Sequence, residues 1–313
     1  MAVSHQPVMV DEVIQYLITI PEGIYVDGTV GTGGHSLEIC KCMAPKGELI
    51  CLDIDRSSIR LAKERLSPFG DRIKIIKESY VAIDKVLKKI GIDKVNGILL
   101  DLGLSSYQLE SSGRGFSFIN DEPLDMRMDE DRGTTANELL NTLSMEKLQE
   151  LLWVYAQERW AKLIARTIVE ERQKRPINSS RQLALLIETT IPAKHRPRKR
   201  HPATKTFQAL RIAVNRELEN VANFLEKCPL VLAQGGRAVV ISYHSLEDRL
   251  VKQAFRQREK DTSPRKLPVF SIKSPPLMKA LIRKGLRPNH MEVNANPRAR
   301  SAIMRVAERT YNE

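Results

Sequence analysis

The stretch YVDGTVGTGGHSLEIC, residues 25–40, sets four glycines between an apolar run and a helix-like one. Such a turn exposes backbone that a ligand can approach closely. A Walker phosphate loop needs Lys followed by Ser or Thr after its last glycine; GTGGHS lacks that pair, which disfavours ATP hydrolysis. The dinucleotide fingerprint is met at Gly31 and Gly33, but its third glycine falls on Ser36, which disfavours a nicotinamide cofactor. Asp53 ends an apolar run 20 residues after Gly33, where a carboxylate can accept the vicinal hydroxyls of a ribose. A glycine-rich turn plus a ribose acid, without pyrophosphate recognition, is what S-adenosylmethionine asks of a doubly wound sheet. A structural reading stands beside this one: the glycines supply unusual backbone angles, and Asp53 ends a strand or caps the helix beginning near Arg56.

Elements must bring that turn and that acid to one edge. Short β-rich runs alternate with amphipathic helical ones, which predicts a parallel sheet covered by helices. Strands are expected at GIYVDG, GELICLDID, RIKIIKE and VNGILLDLG, with crossover helices at HSLEICKCM, RSSIRLAKERL and VAIDKVLKKIG. The rhythm stops near residue 105, where a loop rich in Ser, Gly and Asp leads to helical patterns over 134–190 and a basic linker. One long helix then carries Phe207, Leu210, Val214, Leu218, Val221 and Leu225 at three- and four-residue steps. The strand pattern returns in GGRAVVISY, followed by a helix from Ser245 and two more strand candidates, KLPVFSI and SAIMRVAER. The expected architecture is one α/β domain, residues 1–112 and 215–313, interrupted by an all-helical insertion at 113–214 that serves substrate recognition.

The net charge of +12 is localised. Residues 194–211 carry seven Lys or Arg and no acid, and residues 256–287 carry ten basic and two acidic side chains, so the rest of the chain is net negative. Segregation of this kind favours a polyanion, foremost nucleic acid, over a solvated face of mixed sign. Cys40, Cys42, Cys51 and Cys228 lack paired ligand spacing and read as reduced core residues, and the histidines are scattered, so no metal is expected. No apolar run reaches the roughly 18 residues of a membrane span, and the expected location is cytoplasmic. In SYHSLEDR, Ser245 and Asp248 have the spacing of a capping box, which leaves His244 as the residue with chemical interest.

Taken together, HQPVMVDEV, DGTVGTGGHS, DLGLSSYQL, RGFSF, PLDMRMD, HPATKTFQALRIAVN, SYHSLEDR and NPRARSA resemble the MraW family, in order and over nearly the whole chain. The resemblance implies a class I S-adenosylmethionine-dependent methyltransferase fold. It implies methylation of the exocyclic N4 amine of one cytosine in the decoding region of 16S rRNA, within the small ribosomal subunit. It admits a homodimer. Gly33, Gly34 and His35 match the turn against the methionine part of the cofactor, Asp53 the ribose carboxylate, and Asp101 and Gln108 contacts at the fourth strand's carboxyl end. Tyr80 stands where the family usually has Phe and keeps an aromatic face for adenine. Ala156, Gln157 and Glu158 replace a usual Gly-Glu-Glu, and Ser112 a usual acid, departures outside these motifs.

Cytosine's amine is conjugated with its ring and is a poor nucleophile, so acceptors must hold it in line with the methyl while a proton leaves late. The base must also be unstacked. Asp101, Ser105, Ser106 and His244 are the expected pocket residues, and Tyr107 is a stacking candidate. Arg196, Arg198, Lys199, Arg200, Lys205, Arg211, Arg298 and Arg300 are candidate phosphate contacts. Two rival readings remain: a methyltransferase with another nucleic-acid or protein amine as acceptor, and a non-catalytic ribosome-assembly protein that binds RNA.

Overall fold

The computed structural model describes residues 7–197, 200–258 and 277–310. The chain divides into two compact units, one of Met1–Gly103 with Leu218–Glu313 and one of Leu104–Glu217. The cuts fall after Gly103 and Glu217, not at 112 and 214 as the sequence pattern suggested.

The first unit holds the sheet. Its strands are β1 (Ile24–Asp27), β2 (Glu48–Asp53), β3 (Ile73–Lys77), β4 (Val95–Asp101), β5 (Leu232–Ser242), β6 (Met278–Ala280) and β7 (Ile303–Arg309). They lie in the order β3-β2-β1-β4-β5-β7-β6; β7 runs antiparallel to both its neighbours and every other pairing is parallel. This is the doubly wound, mainly parallel sheet expected from the sequence. Alternating residues of one strand enter different cores, Val26, Ile50, Leu52 and Leu100 on one face and Tyr25, Leu49, Cys51 and Leu99 on the other. Both faces are therefore buried, which is why these strands read as continuous apolar runs. The helices of this unit are α1 (Val10–Leu17), α2 (Gly34–Cys42), α3 (Arg56–Leu66) and α4 (Ile83–Lys89). The chain winds outward from β1 to β3 and then returns to β4 beside β1, so a topological switch point opens between the carboxyl ends of β1 and β4.

The second unit is helical, with α5 (Ser106–Glu110), α6 (Ala136–Thr142), α7 (Met145–Ala156), α8 (Ala161–Lys174), α9 (Ser180–Thr190) and α10 (Thr204–Asn215) around its own core of Leu140, Leu152, Ile164, Leu183, Ile187 and Leu210. Side-chain caps from Ser105, Thr135, Ser144 and Ser179 start four of these helices, each accepting a backbone N–H of the first turn. After Glu217 the chain re-enters the first unit along α11 (Glu217–Val231), and α12 (Ser245–Arg258) and α13 (His290–Ala295) follow.

Several expectations need correction. The single helix through Phe207 and Leu225 is two, because Arg216 takes a left-handed conformation (φ 52°) and ends α10. Its apolar spacing is continuous, yet α10 packs into the helical core and Val221, Phe224 and Leu225 into the sheet core. Neither α1 nor the three-residue β6 was legible, and KLPVFSI lies outside the described residues. Cys42 is exposed, unlike the buried Cys40, Cys51 and Cys228. The cap of α12 is His244, not Ser245. Its Nδ1 accepts the N–H of Glu247 at 3.3 Å, and Glu247 Oε2 accepts the N–H groups of Tyr243 and His244 at 3.0 and 3.4 Å. Asp248 instead takes Arg305 in a two-pronged pair, 2.6 and 3.1 Å.

Candidate active site

Three parallel strands end in an aspartate, at Asp27, Asp53 and Asp101, along the carboxyl edge of the sheet. Each has a different occupation. Asp53 joins the glycine turn to its own helix entry: Oδ2 accepts Gly31 N–H at 2.8 Å and Oδ1 accepts Asp55 N–H at 2.9 Å. Burial outweighs these hydrogen bonds and pushes its pKa up to about 6. Asp55, not Asp53, caps α3, accepting from Ser57 and Ser58. A carboxylate oxygen has a second lone pair after one N–H, so Asp53 keeps acceptor capacity for two hydroxyls.

Asp27 is almost fully buried, 1% exposed. Its Oδ2 accepts the Ser36 hydroxyl at 2.6 Å and its Oδ1 the Thr29 N–H at 3.1 Å. Burial is again the first cause of a raised pKa, against the Ser36 hydrogen bond. Asp27 is not among the residues expected at the site. Its place two residues before a hydroxyl, in the same segment as the glycine turn, was the available signal, and it fastens α2 to β1.

Gly33 sits at φ 83° and starts α2 without a side-chain cap. A Cβ there would lie 3.4 Å from Ala62 Cα and from Leu66 Cγ. His35 follows in the first turn, buried, with Nε2 2.8 Å from the Val8 carbonyl. Its Nδ1 is 3.6 Å from Asp101 Oδ2. Asp101 Oδ1 is buried and has no hydrogen-bond partner among the described residues. The Asp101 backbone N–H donates to Thr29 Oγ1 at 2.7 Å, which ties β4 to the turn after β1 across the switch point. The Tyr243 phenol is pushed well above its usual pKa, first by burial and then by the charge of Asp101, so it stays protonated. Gly103 allows this approach, since a Cβ there would lie 2.7 Å from the Tyr243 ring. Tyr80 follows β3 in a short helical turn and meets Phe224 edge to face at 5.8 Å. Gly33, Gly34, His35, Asp53, Tyr80 and Asp101 thus all belong to the first unit.

A model of the MraW methylase family matches residues 2–310 of the chain. The chain belongs to the MraW methylase family. Its sequence is 47% identical over 306 residues to the ribosomal RNA small subunit methyltransferase H of Geotalea uraniireducens, covering 97% of this chain and 98% of that one. The protein of the same name from Symbiobacterium thermophilum is 44% identical, with 97% and 96% covered. The methylase has the class I S-adenosylmethionine-dependent fold, and S-adenosylmethionine is its cofactor. The turn and Asp53 fit that molecule: a carboxylate with acceptor capacity to spare stands at the end of β2 against the glycine turn, and no Walker lysine is present to ask for phosphate.

Other expected residues of the methylase have local occupations. Ser105 caps α5, its hydroxyl accepting Gln108 N–H at 3.1 Å, while Gln108 Oε1 accepts Ser105 N–H at 3.1 Å. Ser106 is the first residue of α5. These three and Tyr107 lie in the second unit. His244, in the first unit, spends Nδ1 on the cap, and its Nε2 lies 3.1 Å from Glu247 Oε1 without hydrogen-bond alignment. Arg211 grips Glu217 with two bonds of 2.8 Å each and is mostly buried, so it is a structural residue and no phosphate contact. Lys205 reaches the Gln157 carbonyl at 3.0 Å from an exposed position, and Arg196 donates to the Ile191 carbonyl at 3.0 Å. Arg200 and Arg300 are exposed and Arg298 is half-buried; Arg198 and Lys199 lie outside the described residues. RGFSF and PLDMRMD form one knitted loop. Arg114 donates to the Arg127 and Met128 carbonyls, and Asn215 pairs with Met126 and Met128. No helix among the described residues is long and apolar enough to cross a membrane.

Proposed function

We propose that the protein methylates the exocyclic N4 amine of a cytosine in the decoding region of 16S rRNA within the small ribosomal subunit, in the cytoplasm. Its relatives carry the name ribosomal RNA small subunit methyltransferase H, and its own charge is concentrated in two basic segments suited to RNA phosphates. The observation that carries the chemical part is Asp101 Oδ1, a carboxylate oxygen buried at the switch point with no hydrogen-bond partner among the described residues. A buried unpaired acceptor costs free energy unless a ligand satisfies it, and an amine N–H is the complementary donor.

S-adenosylmethionine supplies an electrophilic methyl on a sulfonium, so the protein has to position and deprotonate, not to activate the donor. In this reading Gly33, Gly34 and His35 take the methionine part, Asp53 accepts the ribose hydroxyls, and Tyr80 offers its ring to adenine. Asp101 holds the amine N–H and with it the direction of the nitrogen lone pair. Arg196, Arg200, Lys205, Arg298 and Arg300 contact phosphates, joined by Arg198 and Lys199. The test is transfer from labelled S-adenosylmethionine to small subunits or naked 16S rRNA lacking the modification, with nucleoside mass spectrometry of the product. N4-methylcytidine from the decoding region supports the reading. Methyl on adenine or on a ribosomal protein replaces the acceptor, and cofactor binding without any transfer favours an assembly factor.

A further inference from the structure

The geometry of His35 goes beyond a cofactor contact. The Val8 carbonyl can only accept, so the 2.8 Å contact fixes the proton on Nε2. In the neutral ring Nδ1 is then a bare lone pair, and it faces Asp101 Oδ2 at 3.6 Å. That distance is too long for a hydrogen bond. In that neutral form a lone pair and a carboxylate face each other and repel. His35 side-chain exposure is 8% and that of Asp101 is 19%, so little water screens the pair. The charged and titratable groups facing it are Asp27 on β1, which shares electrostatic coupling with both, and the Tyr243 phenol after β5, on which Asp101 acts by its charge and by a side-chain hydrogen bond. Glu247 and Glu292 act on Tyr243 in turn. No Lys or Arg stands among these groups.

We propose that His35 is a positioning residue for proton removal: its Nδ1 receives the hydrogen bond of Asp101 once Asp101 has taken the proton of the methylated amine. This rests on the reading of Asp101 as the amine's acceptor. The amine nitrogen bonds to the methyl carbon as the S–C bond breaks, and that bond's electron pair remains on sulfur as a thioether. The N–H bond of the resulting cationic nitrogen breaks, its pair returns to nitrogen, and the proton joins the Asp101 carboxylate at Oδ1. Rotation about the Cβ–Cγ bond then exchanges the two oxygens and turns the Oδ1–H toward Nδ1, where repulsion is replaced by an O–H···N bond. Without the proton the pair is unfavourable; with it the pair is satisfied. His35 therefore supplies an acceptor for that O–H late in the reaction.

Two substitutions separate anchoring from tuning. His35→Gln can keep the donor to Val8 and removes Nδ1; His35→Asn keeps an amide near Nδ1, whose NH₂ would hydrogen-bond the charged carboxylate and weaken it as a base. Both are expected to lower kcat, read at saturating S-adenosylmethionine so that any change in cofactor binding is separated out, by about tenfold. In both, kcat becomes slower in D₂O than in H₂O, because proton departure has become limiting, whereas wild type shows no such sensitivity. Independently of turnover, nitrogen NMR of cofactor-free wild type should show His35 protonated on Nε2 and bare on Nδ1 in its neutral form, with the Nδ1 resonance displaced in Asp101→Asn. A proton found on Nδ1 of the neutral ring overturns the proposal. So does a loss of kcat that is indifferent to D₂O. Should wild type transfer no methyl to rRNA, the proposed substrate fails, while the NMR measurement still decides the state of His35.

Discussion

Cofactor affinity should fall on mild acidification because of Asp53. Burial raises the carboxyl pKa to about 6 against the pull of the Gly31 and Asp55 N–H groups. Two ribose hydroxyls can both donate only to the ionised form, so binding expels the proton from molecules that carry one. Near pH 5 about one molecule in ten is ionised at this site, and Kd should be about tenfold weaker than near pH 7.5, or about 1.4 kcal/mol. The sign for stability is opposite to that of a salt-bridged carboxylate. The folded pKa lies above the ordinary 3.8, so this group's contribution is fully present below that value and is lost as pH rises through about 6. The ionised form costs the cofactor-free protein about 3 kcal/mol, which cofactor hydroxyls relieve. Calorimetry of S-adenosylmethionine binding, in buffers of different ionisation enthalpy between about pH 5 and 7.5, reads both Kd and the protons released. Asp53→Asn should bind weakly at every pH, with no proton release. A flat Kd in the wild type, or unchanged pH dependence in Asp53→Asn, would refute the assignment.

Other substitutions follow from the same geometry. Gly33→Ala forces an alanine to φ 83° with its Cβ against Ala62 and Leu66, and should cost about 1–2 kcal/mol of stability in a denaturant titration. His244→Ala removes the cap of α12 and should cost about 1 kcal/mol, yet leave kcat closer to wild type than Asp101→Asn does; an equal loss of kcat would restore His244 to the chemistry. Arg305→Met leaves Asp248 unpaired between α12 and β7 and should cost about 3 kcal/mol in thermal or denaturant unfolding, more than Arg305→Met combined with Asp248→Leu.

The parallel strands and their crossover helices were legible because burial on both faces and a helix period leave distinct apolar patterns. The turn at Gly31–Gly34 and the acid at Asp53 were legible because their chemistry depends on local spacing. The break at Arg216 was not, since apolar periodicity records which face is buried and not which core buries it. A non-glycine residue in the left-handed region leaves no sequence mark. The cap of α12 went to His244 over Ser245 because an imidazole nitrogen accepts as a hydroxyl does, a use that residue preferences under-represent. The relation of His35 to Asp101 joins residues far apart in sequence, through Val8 and Thr29, and only the folded sheet displays it.

The measurement closest to the central claim, that the carboxyl edge of β4 does the chemistry while the glycine turn between β1 and α2 holds the cofactor, is Asp101→Asn assayed for both functions. Calorimetric Kd for S-adenosylmethionine should stay within about threefold of wild type, while single-turnover methyl transfer to rRNA falls by about a hundredfold or more. Equal losses in binding and transfer would reduce Asp101 to part of the cofactor cradle and contradict the account.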